Sequence, residues 1–345
     1  MEPQTISRTR RTLVWSLLSA GIILLAFFSM GLGRFSLSWG EMARVMTHLH
    51  DPGLWTGPDA AKARVMLLIR APRVLTALLI GAGMGISGAA LQGLFRNPLA
   101  SPDVAGVTSG AALGGVAGIM FFGSAGMTVL SAFLAGVGSL ALVFWLSRSE
   151  GKSSVLMLVL AGMVCGAFFS AMISLAKFVA DPLDTLPGIV FWLMGSLSSA
   201  TWNRLGTIAA PIMLASMVLF FLRFQINILS LGDEEAETLG VKVERIRWLT
   251  LLCIALITAS VVSACGVVGW VGLIVPHGAR LLTGPDHRAL LPTSALAGAL
   301  FLLAVDDVAR AATAAEIPLG ILTAAVGAPV FVYLLRRFRK EQAIR

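Results

Sequence analysis

The sequence predicts an all-α polytopic membrane protein with about ten transmembrane helices, and three observations carry that prediction. Of the 345 residues, 57% are apolar and only 13% charged, with a mean hydropathy of +0.87. No water-soluble fold of this size hides that much apolar surface. The apolar residues come in continuous runs of about 20, the length a helix needs to cross a bilayer, and not in the alternation of a β-barrel. The basic residues cluster between those runs, as in loops on an inner membrane. A soluble enzyme, a disordered chain and a disulfide scaffold are excluded, and residues 1–345 read as a single transmembrane domain.

The elements follow in order. A short tail, 1–12, carries Arg8, Arg10 and Arg11. Residues 13–32 form the first span, too long for a leader and without a small-x-small cleavage site. Residues 34–70 read as a mixed loop containing Pro52, Gly53, Gly57 and Pro58. Spans follow at 72–94, 104–122, 126–147 and 153–177. The apolar piece 188–200 is too short to cross and reads as an interfacial helix. The sixth span is 206–224. After the polar loop 225–247 come 248–267, a short eighth at 269–283 holding Pro276, then 290–309 and 318–338. A second tail, 339–345, closes the chain.

An even number of spans puts both tails on one side. If that side is cytoplasmic, 17 of the 26 Lys and Arg lie inside and nine outside, which fits a bacterial inner membrane with both termini cytoplasmic. The first outer loop departs from the bias, with Arg34, Arg44, Lys62, Arg64, Arg70 and Arg73. The net charge of +8 is thus a topology signal and not a nucleic-acid footprint.

A weak inverted repeat runs through the chain. Gly93-Leu94, Pro98 and Ser101-Pro102-Asp103 are echoed by Gly272-Leu273, Pro276 and Gly284-Pro285-Asp286. The copies follow spans of opposite direction, a pattern of many transporter folds.

Several motifs have a plain reading. Gly81, Gly85, Gly110, Gly114, Gly118, Gly162 and Gly166 lie at small-xxx-small spacing, which serves close helix packing. Gly83-x-Gly85-x-x-Gly88 sits inside an apolar helix instead of after a strand, and Gly151-Lys152-Ser153 lacks the earlier glycine of a phosphate loop. The chain therefore shows no nucleotide site of its own. Cys165, Cys253 and Cys265 stand alone in apolar stretches, with no metal or redox spacing. Asp306-Asp307 lacks the converging acids that a metal enzyme needs and reads as a helix-end polar network. His48 and His50 alone make a poor metal site. The segment Leu231, Gly232, Asp233, Glu234, Glu235, Ala236, Glu237, Thr238, Leu239, Gly240 forms a short helix with acids in its first turn and a glycine stop. Its spacing fits both a solvated connection and a docking knob.

The residues also carry a resemblance. Arg70-Ala71-Pro72-Arg73, then Gly85 through Ala100 with Gln92-Gly93 and Arg96-Asn97-Pro98, then Gly106 through Gly114 follow one another in order. Further matches are Leu231-Gly232 through Val241, Gly269 through His277, Asp286-His287-Arg288, Glu316-Ile317-Pro318 and Gly327-Ala328-Pro329. Over nearly its whole length the chain resembles the permease subunits of the iron-chelate and cobalamin ABC importers, type II importers.

The resemblance implies a permease that is not itself an enzyme, works by alternating access and dimerises with a second copy or a paralogue around a central pathway. It also implies two cytoplasmic ATPase subunits and a periplasmic or lipid-anchored substrate-binding protein. ATP would sit on the ATPases, with no cofactor or catalytic residue in this chain, and the other partner is membrane lipid. The same resemblance puts residues 231–240 in a groove of the ATPase, and makes Arg70, Arg73 and Arg310 contacts to acidic groups of the binding protein. It places a cytoplasmic gate near Ser153 and Ser154. A ferric siderophore is the implied cargo, with haem, cobalamin and a molybdate-type oxyanion as alternatives. A secondary transporter would need a mid-membrane ion-coupling acid, and an intramembrane enzyme converging catalytic groups; the spans show neither clearly.

Overall fold

A computed structural model describes residues 7–343 apart from 34, 36, 49–54, 58, 150–151, 154 and 314. Among the described residues the chain is a bundle of α-helices. Helices α1 (Arg8–Gly31), α2 (Trp39–Thr47) and α3 (Ala60–Arg64) open it. A π-helical stretch, Val65–Arg70, runs without a break into α4 (Ala71–Leu94). Then come α5 (Val107–Phe122), α6 (Ala125–Ser147), α7 (Val155–Val179), α8 (Thr185–Met194) and α9 (Trp202–Phe221). Two short helices, α10 (Arg223–Leu229) and α11 (Asp233–Thr238), precede α12 (Val243–Cys265). The chain ends with α13 (Val271–Thr283), α14 (His287–Ala311) and α15 (Leu319–Ala343). Among the described residues, seven helices are long and apolar enough to cross a membrane. With the shorter α5 and α13 and with α15, they account for the ten expected spans.

The helix ends are written locally. The Ser7 hydroxyl accepts from Arg10 N at the start of α1, Thr201 does so for α9, and Asp286 Oδ1 accepts from Arg288 N at 3.0 Å to start α14. Such caps satisfy amides that have no partner in the helix.

Helix α4 is the axis. It packs against α14, α13, α9 and α12, and most of its length is buried. Its glycines make this possible. A Cβ at Gly81 would overlap the Gly298 carbonyl, one at Gly85 the Ser294 carbonyl, and one at Gly88 the Gly272 carbonyl. The glycine spacing thus serves backbone-to-backbone contact, as small-residue stripes do in lipid. Gly88 and Gly272 belong to, or adjoin, the two copies of the sequence repeat, so those copies face each other. Gln92 ties them further, since its Nε2 donates to Leu273 O at 3.3 Å and its Oε1 accepts from Arg280.

Two expectations are corrected. The stretch 34–70 is not simply a loop: α2 and α3 form a small platform with their own core of Met42, Val45, Ala63 and Met66. The signal was present in the sequence, because Ser38-x-x-Glu41 is a capping box, and both of its hydrogen bonds form. The piece expected to lie at the interface as a helix over 188–200 is helical only to Met194. Beyond it, Gly195 turns with φ +74°. Ser196 N then donates to Cys265 O at 2.8 Å, and Leu319 N donates to Gly195 O at 2.9 Å. This segment is inserted between α12 and α15 and does not float on the membrane surface.

Candidate functional site

Three places in the bundle concentrate polar chemistry. The first is the α10–α11 corner. Ile226 and Leu229 of α10 are buried in the main core, and Asn227 Oδ1 accepts from His287 N at 3.1 Å, which fixes α10 to the start of α14. Gly232 has φ +153°, and the Glu235 carboxylate lies where its Cβ would be. Asp233 takes Arg247 Nη2 at 2.7 Å and Arg96 Nη2 at 3.5 Å, linking α11 to α12 and to the turn after α4. At the other end Gly240 N donates to Glu237 O, and Val241 N to Ala236 O, with φ +79° at Gly240. That is a left-handed glycine stop with both of its hydrogen bonds.

Ala236 is fully buried, whereas Leu231 is 63% and Leu239 60% exposed. Glu234, Glu235 and Glu237 are exposed beside them. The corner is therefore a rigidly anchored knob that presents two leucines among acids.

The second place lies at the opposite end of the bundle, where α1, α4 and α14 meet. Arg73 grips Asp306 through Nε, at 3.1 and 3.0 Å, and Nη2, at 2.9 Å, while its Nη1 reaches Glu316 at 3.0 Å. Arg310 pairs with Asp307 and donates to the hydroxyl and carbonyl of Ser29 and to Leu32 O. Arg70 donates to Met30 O at 2.7 Å and to Phe35 O, clasping the turn from α1 to α2. The exposures of Arg70, Arg73 and Arg310 are 4, 7 and 6%.

The side chains of these three arginines, expected from the resemblance to meet a binding protein, are buried on internal partners in this chain. A guanidinium off the membrane midplane can remain buried only when carboxylates or carbonyls satisfy it, and here all three are committed inside the chain. Among the described residues, the exposed cations of the α2–α3 platform at this end are Arg44 and Arg64. Sequence alone could not separate them, because a buried paired arginine and an exposed one read alike. The pairing of Asp306-Asp307 was legible, its partners were not.

The third place is a cavity of about 610 Å³ between α6, α9 and α12, beside a second of about 300 Å³. Arg204 lines both. No sequence motif marks it.

Of the gate pair, Ser154 lies outside the described residues, and Ser153 is described only through its backbone, which pairs with Arg148. Among the described residues no three His, Cys, Asp or Glu side chains gather to hold a metal. Cys165, Cys253 and Cys265 are separate and buried.

Comparison with known proteins adds the family context. The profile of the FecCD transport family matches residues 21–337. The molybdate import system permease protein MolB of Haemophilus influenzae is 43% identical over 324 residues, covering 92% of this chain and 94% of that one. The cobalamin import system permease protein BtuC of Halobacterium salinarum is 42% identical, covering 81% and 75%. A solved transporter, described as of the metal-chelate ABC type in an inward-facing conformation, superimposes with a TM-score of 0.85 at 42% identity, covering 94% and 99%.

Proposed function

The chain belongs to the FecCD transport family, the permeases of ABC importers, and from that premise we propose how it couples a partner's ATP hydrolysis to inward movement of a metal-bearing cargo. As a member of that family it is a transport subunit and not an enzyme, and it works with a partner ATPase and a substrate-binding protein.

The observation that carries the coupling reading is the anchored knob. Leu231 and Leu239 fit an apolar groove, Glu234, Glu235 and Glu237 rim it, and Asp233 relays any displacement through Arg96 and Arg247 to α4 and α12. Interfaces combine a buried apolar centre with a polar rim in this way. Two ATPases would seat on the knobs of a permease dimer. Nucleotide-driven approach of the ATPases would tilt α4 and α12, and switching between two packings would open the pathway first to one side and then to the other. No cofactor is needed in this chain, since the nucleotide stays on the ATPase. Both tails and the knob face the cytoplasm of a bacterial cell, and the α2–α3 platform faces outward. There Arg44 and Arg64 meet acidic groups of the loaded binding protein, an arrangement that speeds encounter.

The cargo reading is a ferric siderophore or similar metal chelate, supported by the metal-chelate description of the solved relative. A second reading, molybdate, is favoured by the 43% identity to a molybdate permease. Proteoliposomes carrying the permease, its ATPase and its binding protein separate them. We expect ATP-dependent accumulation of iron from a siderophore complex and none of labelled molybdate. Molybdate uptake alone would replace the first cargo with the second. Uptake of either without the ATPase would end the coupling reading.

A further inference from the structure

Arg204 differs from the buried arginines of the α1–α4–α14 junction, and, unlike the half-buried Arg280 and Arg223, it lines a cavity. Those at the α1–α4–α14 junction are satisfied by carboxylates and carbonyls. Arg204 is half-buried, its Nη1 donates to the Ser199 hydroxyl, and among the described residues no carboxylate pairs with it. A guanidinium has five donors, so most of its capacity is left for something in the cavities it lines.

The walls divide by chemistry. On the α12 side the hydroxyls are already used: Ser260 donates to Leu256 O at 2.7 Å and Ser263 to Ser260 O at 2.9 Å. Thr207 likewise donates to Arg204 O at 2.8 Å. On the Arg204 side the Asn203 amide lines the larger cavity and the Ser198 and Ser199 hydroxyls line the smaller one, with Arg204 on the wall of both, and no donation from these groups to a protein acceptor is seen among the described residues. Val129, Leu130 and Phe133 of α6 close the opposite wall. The result is an apolar recess with one cation and a cluster of neutral donors on one side. A lipid-snorkelling arginine would reach out to water. This one folds back onto Ser199 at the mouth of the cavities it lines.

We propose that the two adjoining cavities at Arg204, one between α6, α9 and α12 and one beside α8, form a binding site for an oxyanionic group, held by Arg204 with Asn203 from the larger cavity and Ser198 and Ser199 from the smaller as hydrogen-bond donors. Charge-assisted hydrogen bonds from arginine to oxyanions are among the strong ones, and its planar fork suits a phosphate or a similar tetrahedral anion. Two sources share that chemistry: a free oxyanion such as molybdate, and the phosphate of an anionic phospholipid. The inference does not rest on the cargo reading, because binding is measured on the permease without its ATPase or binding protein.

The test uses the full-length permease purified in a neutral detergent, probed by titration with sodium molybdate and, separately, by native mass spectrometry with phosphatidylglycerol against phosphatidylcholine. Saturable binding of one probe is expected, weakened about tenfold or more in Arg204→Gln. In Arg223→Gln, which removes a cation stacked on Phe220 at the other end of α9, binding is expected to be unchanged. Molybdate saturation identifies a free-anion site, and selective retention of phosphatidylglycerol identifies a headgroup site. Should Arg204→Gln fail to fold, Asn203→Leu on the exposed rim serves instead, with a loss of about fivefold. Binding of neither probe, or equal affinity in wild type and variant, overturns the proposal.

Discussion

Arg73 on α4 and Asp306 on α14 are joined side-on, with Nε and Nη2 of the guanidinium both on the carboxylate at 2.9–3.1 Å, and Asp306 is fully buried. The pair pins the central helix to its main neighbour at the end away from the α11 knob. Removing Arg73 leaves Asp306 fully buried with only Arg310 Nε, at 3.7 Å, to offset its charge, and breaking such a buried pair costs about 3–5 kcal/mol. Arg73→Met is therefore expected to lower unfolding stability in detergent by that amount. Arg73→Met combined with Asp306→Leu should recover most of it, because the desolvation cost goes with the charges. Chemical denaturation of the two variants checks both statements, and a double variant as unstable as the single would refute the electrostatic account.

The α4–α13 contact makes a steric prediction. A methyl at Gly88 would meet the Gly272 carbonyl, which is backbone and cannot rotate away. Gly88→Ala should cost roughly 1–3 kcal/mol or more through forced separation of the helices. Gly138 in α6 has nothing near its Cβ position. Gly138→Ala should lie within about 1 kcal/mol of wild type, on the stabilising side. Thermal unfolding of the two variants side by side distinguishes a packing glycine from a spare one.

These two sites also mark how far the sequence can be read. The spans were legible because apolar runs of bilayer length have one physical use, and α4 appeared at 71–94 where 72–94 was expected. The glycine spacing announced close packing but not the partner, since which carbonyl faces Gly88 depends on how distant helices meet. The α11 helix was visible in its acids and its glycine stop. Its rigidity was not, because that comes from Arg96 and Arg247, which lie far from Asp233 along the chain or on another helix. The arginines of the 70–73 motif were noticed for being on the wrong side of the charge bias. Their burial followed only from Asp306, Glu316 and the carbonyls of Met30 and Phe35.

Because Arg70, Arg73 and Arg310 are committed internally, charge reversal at the exposed platform should be what weakens docking of the binding protein. Arg44→Glu with Arg64→Glu is expected to slow association about tenfold or more at low salt, with a smaller effect at high salt, as screening requires. Membrane insertion and thermal stability should stay near wild type, since Arg44 makes only a 3.9 Å contact with Asp59. Surface plasmon resonance across a salt series provides the measurement. An unchanged association rate would move the docking surface elsewhere.

At the opposite end, Leu239 is exposed and closes no core contact, so Leu239→Asp should leave folding stability within about 0.5 kcal/mol. Transport should nevertheless fall while ATP hydrolysis continues, because the apolar contact that transmits movement is gone. Ala236→Asp, by contrast, puts a charge into a fully buried position and should unfold the knob itself. Parallel assays of ATPase rate and uptake separate lost coupling from lost structure. Normal coupling in Leu239→Asp would make α11 a connector only.

The platform carries its own pH signature. Glu41 is held down at about 2, from an ordinary 4.5, first by the Lys62 ammonium at 2.9 Å and then by the Ser38 amide and hydroxyl. Because the folded state lowers this pKa, the stabilisation is fully present above about pH 4.5, fades as the pH falls from there and is gone below about 2. Protection of α2 amides against hydrogen exchange should thus be flat from neutral pH to about 4.5, once corrected for intrinsic rates, and decline below it. Glu41→Gln removes the carboxylate and with it the titration. Its α2 protection should be lower at neutral pH and show no further step between 4.5 and 2 from this group. A wild-type profile that matched Glu41→Gln at every pH would mean that the capping box and the Lys62 contact do not hold α2 against α3 in solution.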